Sequence, residues 1–253
     1  MDHGLKHLAH KHFSTFYNES TVGDISEQMK TIDLLPAFYN EAEGAALFAP
    51  VTLEEIKKVI DGFAREKSPG PDGWTVEFYA AFFDILGPEI IALVEDTRTK
   101  GSVSGALNST FITLIPKINK PIDFSDYRPI YLCNLIYKVI SKVISNRLKP
   151  KLMQVISQEQ FGFLPNRQIT DAIGISQELL HSVKTMDLEA IILKLDLSKA
   201  YDRINWDFIH LMLIKIGLHV EMTRWILACI KSANYAVLVN GMPVLIFFRL
   251  RED

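Results

Sequence analysis

The chain has 253 residues, 48% of them hydrophobic and 23% charged, which is enough apolar material for a sizeable core and too much for a disordered chain. A net charge of −3 argues against a protein that coats nucleic acid indiscriminately, and two cysteines, Cys133 and Cys229, cannot make a disulfide framework. With no signal-peptide pattern and no apolar run of transmembrane length, an intracellular protein without a membrane partner is expected, nuclear or cytoplasmic.

Leu5, Leu8, Phe13, Phe16 and Tyr17 recur at roughly helical intervals, with His3, His7, His10 and His12 between them. His3 and His7 have the spacing of two metal ligands on one helix face, but no cysteine or acid stands at ligand spacing nearby, so exposed helix histidines are the simpler reading. Residues 24–50 show no clear period and are expected to be a linker. Thr52-Leu53-Glu54-Glu55 reads as a capping box, and Ile56, Val59, Ile60 and Phe63 continue it as an amphipathic helix. That helix stops at Lys67-Ser68-Pro69-Gly70-Pro71-Asp72-Gly73, where two prolines and two glycines specify a rigid turn. Trp74–Leu86 and Pro88–Thr99 are predicted as two helices divided at Gly87. Phe78, Phe82 and Phe83 are expected in the core rather than as platforms for nucleic-acid bases.

Phe111–Ile115 and Arg128–Leu132 are predicted strands, joined by a polar connection through Asn119 and Ser125. From Asn134 onward, Leu135, Ile136, Val139, Ile140, Val143, Ile144 and Leu148 form an apolar stripe while Lys138, Lys142 and Lys149 recur on another face, and the helix is expected to bend or end near Pro150. Between Leu114 and Lys151 eight Lys/Arg stand against two acids. This local excess is either a footprint for a polyanion or a solvated helix face. Gln160-Phe161-Gly162-Phe163 and Arg167 make a turn before a helix carrying Ile173, Leu179, Leu180 and Val183.

Ala190, Ile191, Ile192, Leu193 and Leu195 predict a buried strand with Asp196 at its C-terminal end. A carboxylate so placed needs a donor, water or a cation. Asp196 therefore caps the following turn, holds a divalent ion such as Mg²⁺, or opens a phosphoaspartate site. Helices at Trp206–Ile216 and Glu221–Ile230 follow, then a hairpin of Tyr235–Val239 and Val244–Phe248 around Asn240-Gly241.

The block Leu195-Asp196-Leu197-Ser198-Lys199-Ala200-Tyr201-Asp202-Arg203-Ile204-Asn205-Trp206 closely resembles the first catalytic-aspartate block of reverse transcriptases from non-LTR (LINE-type) retrotransposons, especially those of plants. Lys67–Gly73, Ile112-Thr113-Leu114-Ile115-Pro116-Lys117, Tyr127-Arg128-Pro129-Ile130, Tyr137-Lys138-Val139-Ile140-Ser141-Lys142 and Gln160–Arg167 resemble further blocks of that family, in the family's order. The resemblance implies that Asp196 is catalytic and a metal ligand. It puts Arg128, then Lys117, at the triphosphate of the incoming nucleotide, where a guanidinium fork suits phosphate better than a point charge. It also puts Tyr201 at the nucleotide, and Lys138, Lys142, Lys149 and Arg167 along the nucleic acid.

The sequence departs from the family downstream. Nucleotidyl transfer uses two metal ions held by several converging carboxylates. No Asp-Asp pair occurs in this sequence, Asp202 lies beyond the turn, and Arg249-Leu250-Arg251-Glu252-Asp253 lacks the glycines of the corresponding family block. The expectation is an α+β fold holding the fingers and a partial palm of a right-hand polymerase, without the Asp-Asp hairpin and thumb. Residues 1–50 would form a helical segment and linker, 51–188 a fingers-like region with the basic helix, and 189–253 the partial palm. Such a chain would be a truncated transposable-element RNA-directed DNA polymerase, inactive alone. The complete enzyme would use Mg²⁺, an RNA template, a DNA primer and deoxynucleoside triphosphates, and this chain would self-associate through its uncovered sheet. The alternatives are a residual nucleic-acid-binding fragment and a metal-dependent aspartyl-phosphate enzyme centred on Asp196.

Overall fold

A sheet built from segments far apart in sequence organises the protein, whose computed structural model describes residues 2–18, 24–197, 204–244 and 248–249. Strand β1 (Ser109–Pro116) pairs antiparallel with β2 (Tyr127–Cys133), setting Ile112 opposite Tyr131 and Ile115 opposite Arg128. On its other edge β1 runs parallel to β3 (Asn234–Val239), with Ile112 beside Val237. The turn after β3 holds Asn240 and Gly241 at φ 52° and 76°, the left-handed pair that a two-residue hairpin requires. It leads into β4 (Met242–Pro243), and the short β5 (Phe248–Arg249) also pairs with β3. The predicted β1–β2 hairpin and the Asn240-Gly241 turn are present, but the returning strand after that turn is Met242–Pro243 rather than Val244–Phe248, of which Leu245–Phe247 lie outside the described residues.

One sheet face is closed by α1 (Asp2–Asn18), whose Ala9 and Phe13 pack on Ile112, Val237 and Val244. The His12 ring sits 5.1 Å from Phe13 and 5.2 Å from Phe124, so this histidine packs against rings. A helical layer makes the rest of the first core. Thr52 caps α4 (Leu53–Asp61) by accepting the Glu55 N–H at 3.2 Å, and the α4 face of Ile56, Val59 and Ile60 is buried. It packs on α5 (Val76–Ala81) and α6 (Phe83–Lys100).

Helices α2 (Ile25–Asp33) and α3 (Glu41–Ala46) occupy the stretch expected as a linker. Both are short and held by caps. Asp24 accepts the Ser26 N–H, and Asn40 and Glu43 form a reciprocal capping box. The break between α5 and α6 falls at Phe82, not at Gly87, and Pro88 lies inside α6. Proline there removes one hydrogen bond to the carbonyl four residues back, and Asp84 is exposed, so water can take that carbonyl. The same reason carries α7 (Leu135–Val155) through Pro150, where the helix was expected to bend or stop: Asn146 is exposed.

Beyond these, α8 (Ile169–Thr185), α9 (Trp206–Lys215) and α10 (Val220–Lys231) complete the α-helices of the described residues. Trp225 of α10 is fully buried and donates its indole N–H to Thr97 Oγ1 of α6 at 3.2 Å. Buried Asn108, just before β1, donates to the Cys229 carbonyl at 3.0 Å and to Ser232 Oγ at 2.9 Å, and the Tyr137 hydroxyl donates to the same carbonyl at 3.1 Å. Burial raises the Tyr137 phenol well above its ordinary range.

By packing the chain divides into two units, residues 1–145 with 201–253 and residues 146–200, a division different from the sequence boundaries at 50 and 188. The second unit contains the end of α7 and all of α8, and no residue of α8 is buried. Ile191–Leu195, expected as a buried strand, is irregular and open to solvent, with Ile191 98% and Leu195 79% exposed. A strand is defined by its pairing partner, and no strand is found among the described residues of this unit. Apolar composition alone could not supply one.

Candidate nucleic-acid interface

α4 ends at Asp61 with Gly62 as its C-cap, earlier than the expected stop, and the chain then turns at Lys67–Gly73, where the Gly73 N–H bonds to the Gly70 carbonyl at 3.1 Å. Asn134, the residue before α7, holds this loop in place. Its Oδ1 accepts the Asp72 N–H at 3.1 Å, its Nδ2 donates to the Ala106 carbonyl at 3.1 Å, and the residue is only 5% exposed. Gly70 is pressed so closely on this asparagine that a Cβ there would lie 2.4 Å from the Asn134 nitrogen. Glycine is required by the close approach of two backbones.

The loop delivers Trp74 to the surface. Its indole is 48% exposed and stacked on Phe78 at 4.2 Å between ring centroids, and Phe78 in turn meets Phe82 at 5.1 Å. Phe83 is buried as expected, but Phe82 is 48% exposed, so an aromatic row stands partly outside the core. Trp74 stands two residues before α5, so the row is made by the fold of the loop and not by helical spacing alone.

Lys138 and Lys142 emerge half-buried from α7 in the first unit, about 40° apart around an ideal helix, and Lys149, also half-buried, lies on the stretch of α7 that belongs to the second unit. The buried stripe of Leu135, Ile136, Val139, Ile140, Val143 and Ile144 occupies another side. No hydrogen bond or ion pair engages these three ammonium groups among the described residues. Arg128 is exposed on β2 and is likewise free of such a partner among the described residues. Lys117 differs. Its Nζ donates to the Ser125 carbonyl at 2.8 Å and its backbone N–H to the Asp126 carbonyl at 2.8 Å, tying the base of the hairpin connection. The Asp126 carboxyl accepts the Ile122 and Asp123 N–H groups, and these bonds hold it below the usual carboxylate range.

Arg167, assigned to nucleic acid by resemblance, faces the chain itself. Its guanidinium donates to the carbonyls of Ile156 at 3.0 Å, Gln160 at 2.9 Å and Ser157, closing the turn that follows α7. A fork of fixed donors fits three converging carbonyls, and those donors are then unavailable to phosphate. Asp196 lies in the second unit and is exposed, while Tyr201 lies outside the described residues. Among the described residues no three His, Cys, Asp or Glu side chains gather as a metal site. No helix among them is long and apolar enough to cross a membrane.

The amino-acid sequence is matched by known proteins. Residues 115–244, just over half of the chain, match the family of reverse transcriptases (RNA-dependent DNA polymerases). The chain is 30% identical over 201 residues to the transposon TX1 uncharacterized 149 kDa protein of Xenopus laevis, covering 79% of this chain and 15% of that protein. It is 28% identical to the RNA-directed DNA polymerase from mobile element jockey of Drosophila funebris, over 61% of this chain and 17% of the relative. A Pol polyprotein from the type-1 retrotransposable element R1 of Bradysia coprophila is 26% identical, over 75% and 20%.

The chain belongs to the reverse transcriptase family, and within it to the reverse transcriptases of non-LTR retrotransposons. It spans a fifth or less of the length of these three relatives. Reverse transcriptases generally use divalent metal ions. The described residues do not fit such a site, since Asp196 stands without other carboxylates gathered around it.

Proposed function

We propose that this chain is the fingers and beginning of the palm of an RNA-directed DNA polymerase, of the plant type among non-LTR retrotransposons. In the longer protein it engages an RNA template and a DNA primer. On its own it binds nucleic acid without extending it. The observation that carries this reading is α7, where Lys138, Lys142 and Lys149 project free ammonium groups from a helix anchored on the other side by its apolar stripe. Such a face follows a phosphate backbone without reading sequence. In the longer protein Asp196 would supply one of several carboxylates toward Mg²⁺, and Arg128 is the guanidinium suited to a triphosphate.

The test is binding of the full chain to a primed RNA template across a salt series. A log–log slope of about −0.9 per phosphate neutralised is expected if the helical duplex behaves as B-DNA does. Joint Lys138→Gln, Lys142→Gln and Lys149→Gln substitutions should flatten that slope. An unchanged slope in the triple variant would remove α7 from the interface. Nucleotide incorporation abolished by Asp196→Asn would show that the chain polymerises by itself.

A further inference from the structure

We propose that Trp74 and its pocket form a binding site for one unpaired nucleotide of a single-stranded nucleic acid, the base stacking on the indole and the adjoining phosphates lying between Lys67 and Lys138. The assignment rests on the reading that the chain binds nucleic acid, and it adds a strand class and a residue outside α7. Lys67, Ser68, Trp74, Thr75, Leu135 and Lys138 line a cavity of about 170 Å³. At roughly 30 Å³ per water this holds about six waters, room for one ring or one sugar and too little for a base pair.

Three features choose the ligand chemistry. First, the indole has a rigid backing, since Phe78 stacks behind it at 4.2 Å with 28° between the planes, while 48% of Trp74 stays open to solvent. A flat π-surface held from behind is what a base stacks on, whichever base it is. Second, neither the Lys67 nor the Lys138 ammonium has a hydrogen bond or ion pair among the described residues, so both are available to phosphate. An apolar peptide would need neither. Third, the loop backbone between Lys67 and Trp74 is held on Asn134 through the Asp72 N–H and the close approach of Gly70, so the positions from which lysine and indole project are set before binding. A duplex cannot use this site because its bases already stack on each other.

The experiment uses the full chain and fluorescein-labelled octauridylate followed by anisotropy. Trp74→Ala should weaken binding on the order of 5- to 100-fold, while Trp74→Phe retains most of the affinity. An octamer with abasic positions should bind wild type as weakly as the intact octamer binds Trp74→Ala. Lys67→Gln and Lys138→Gln should each reduce the salt slope by about 0.7. Because Trp74 is half exposed, matching thermal transitions of both Trp74 variants and wild type confirm that they are folded.

Equal affinity of Trp74→Ala and wild type for the octamer would overturn the proposal, as would equal competition by a blunt duplex. If Trp74→Ala is silent while the α7 lysine variants still change duplex binding, this inference alone fails. If wild type binds no nucleic acid, the proposed function falls with it.

Discussion

Asn134→Ala tests whether one buried amide sets the shape of the loop beneath Trp74. The side chain makes two neutral hydrogen bonds, from the Asp72 N–H and to the Ala106 carbonyl, both 3.1 Å. Each is worth about 1 kcal/mol net. Asp72 and Ala106 are themselves exposed, so water can replace the lost partner and no desolvation penalty is added. The backbone bond from the Lys138 N–H to the Asn134 carbonyl is untouched. The expected loss is therefore about 2 kcal/mol, or about 4–8 °C in Tm for a chain of this size.

Hydrogen exchange localises the effect. The Asp72 amide should exchange about fivefold faster, the equivalent of one bond of about 1 kcal/mol. The Gly73 amide, bonded to Gly70 within the turn, should change less. Unchanged exchange at Asp72, or a stability loss above about 4 kcal/mol spread over the whole first unit, would show that Asn134 acts through core packing and not through the loop.

Two further expectations concern buried and capping groups. Burial pushes the Cys229 thiol up from 9.0 to about 12. The unfolded thiol releases its proton from about pH 9 while the folded one holds it, so this stabilisation is complete below pH 9 and is lost as pH rises toward 12. Between pH 8 and pH 10 the loss is about 1.4 kcal/mol. Urea midpoints at the two pH values should show it in wild type and not in Cys229→Ala; parallel behaviour of the two proteins would refute it. Arg167→Lys should speed amide exchange in residues 152–160 about fivefold, because an ammonium cannot reach three carbonyls at once and this partly exposed cap is worth only about 1 kcal/mol. Unaltered exchange with weakened nucleic-acid binding would return Arg167 to the phosphate backbone.

The sequence was most readable where a local rule decides the outcome. Asn240-Gly241 specifies its own turn, Thr52 its own cap, and the α7 stripe its own buried face. It was least readable where the deciding group lies elsewhere in the chain. Ile191–Leu195 has the composition of a strand but finds no neighbour among the described residues of its unit. Pro88 reads as a helix start and Pro150 as a helix end, yet each lies inside a helix and leaves a carbonyl at an exposed position that water can serve. Residues 24–50 lacked a period because α2 and α3 are too short to display one, although Asp24 and the Asn40–Glu43 box mark their starts. Of the proposed site, the α7 lysines and Arg128 are named from sequence and resemblance. Trp74 could not, because only the fold shows that Phe78 stacks against its ring while half of the residue stays open to solvent.

The parallel pairing of β1 with β3 sets Ile112 beside Val237, with the whole of the second unit encoded between them. During synthesis the β1–β2 hairpin therefore emerges with one edge bare and waits for its third strand. At roughly 5–20 residues per second this wait is about 6–25 s, far longer than the microseconds a hairpin needs to form. Through that interval the nascent chain displays an unpaired strand edge beside the apolar Ile112. The ribosome-bound chain is accordingly the state most in need of a chaperone, and slowing translation between residues 146 and 233 prolongs its exposure.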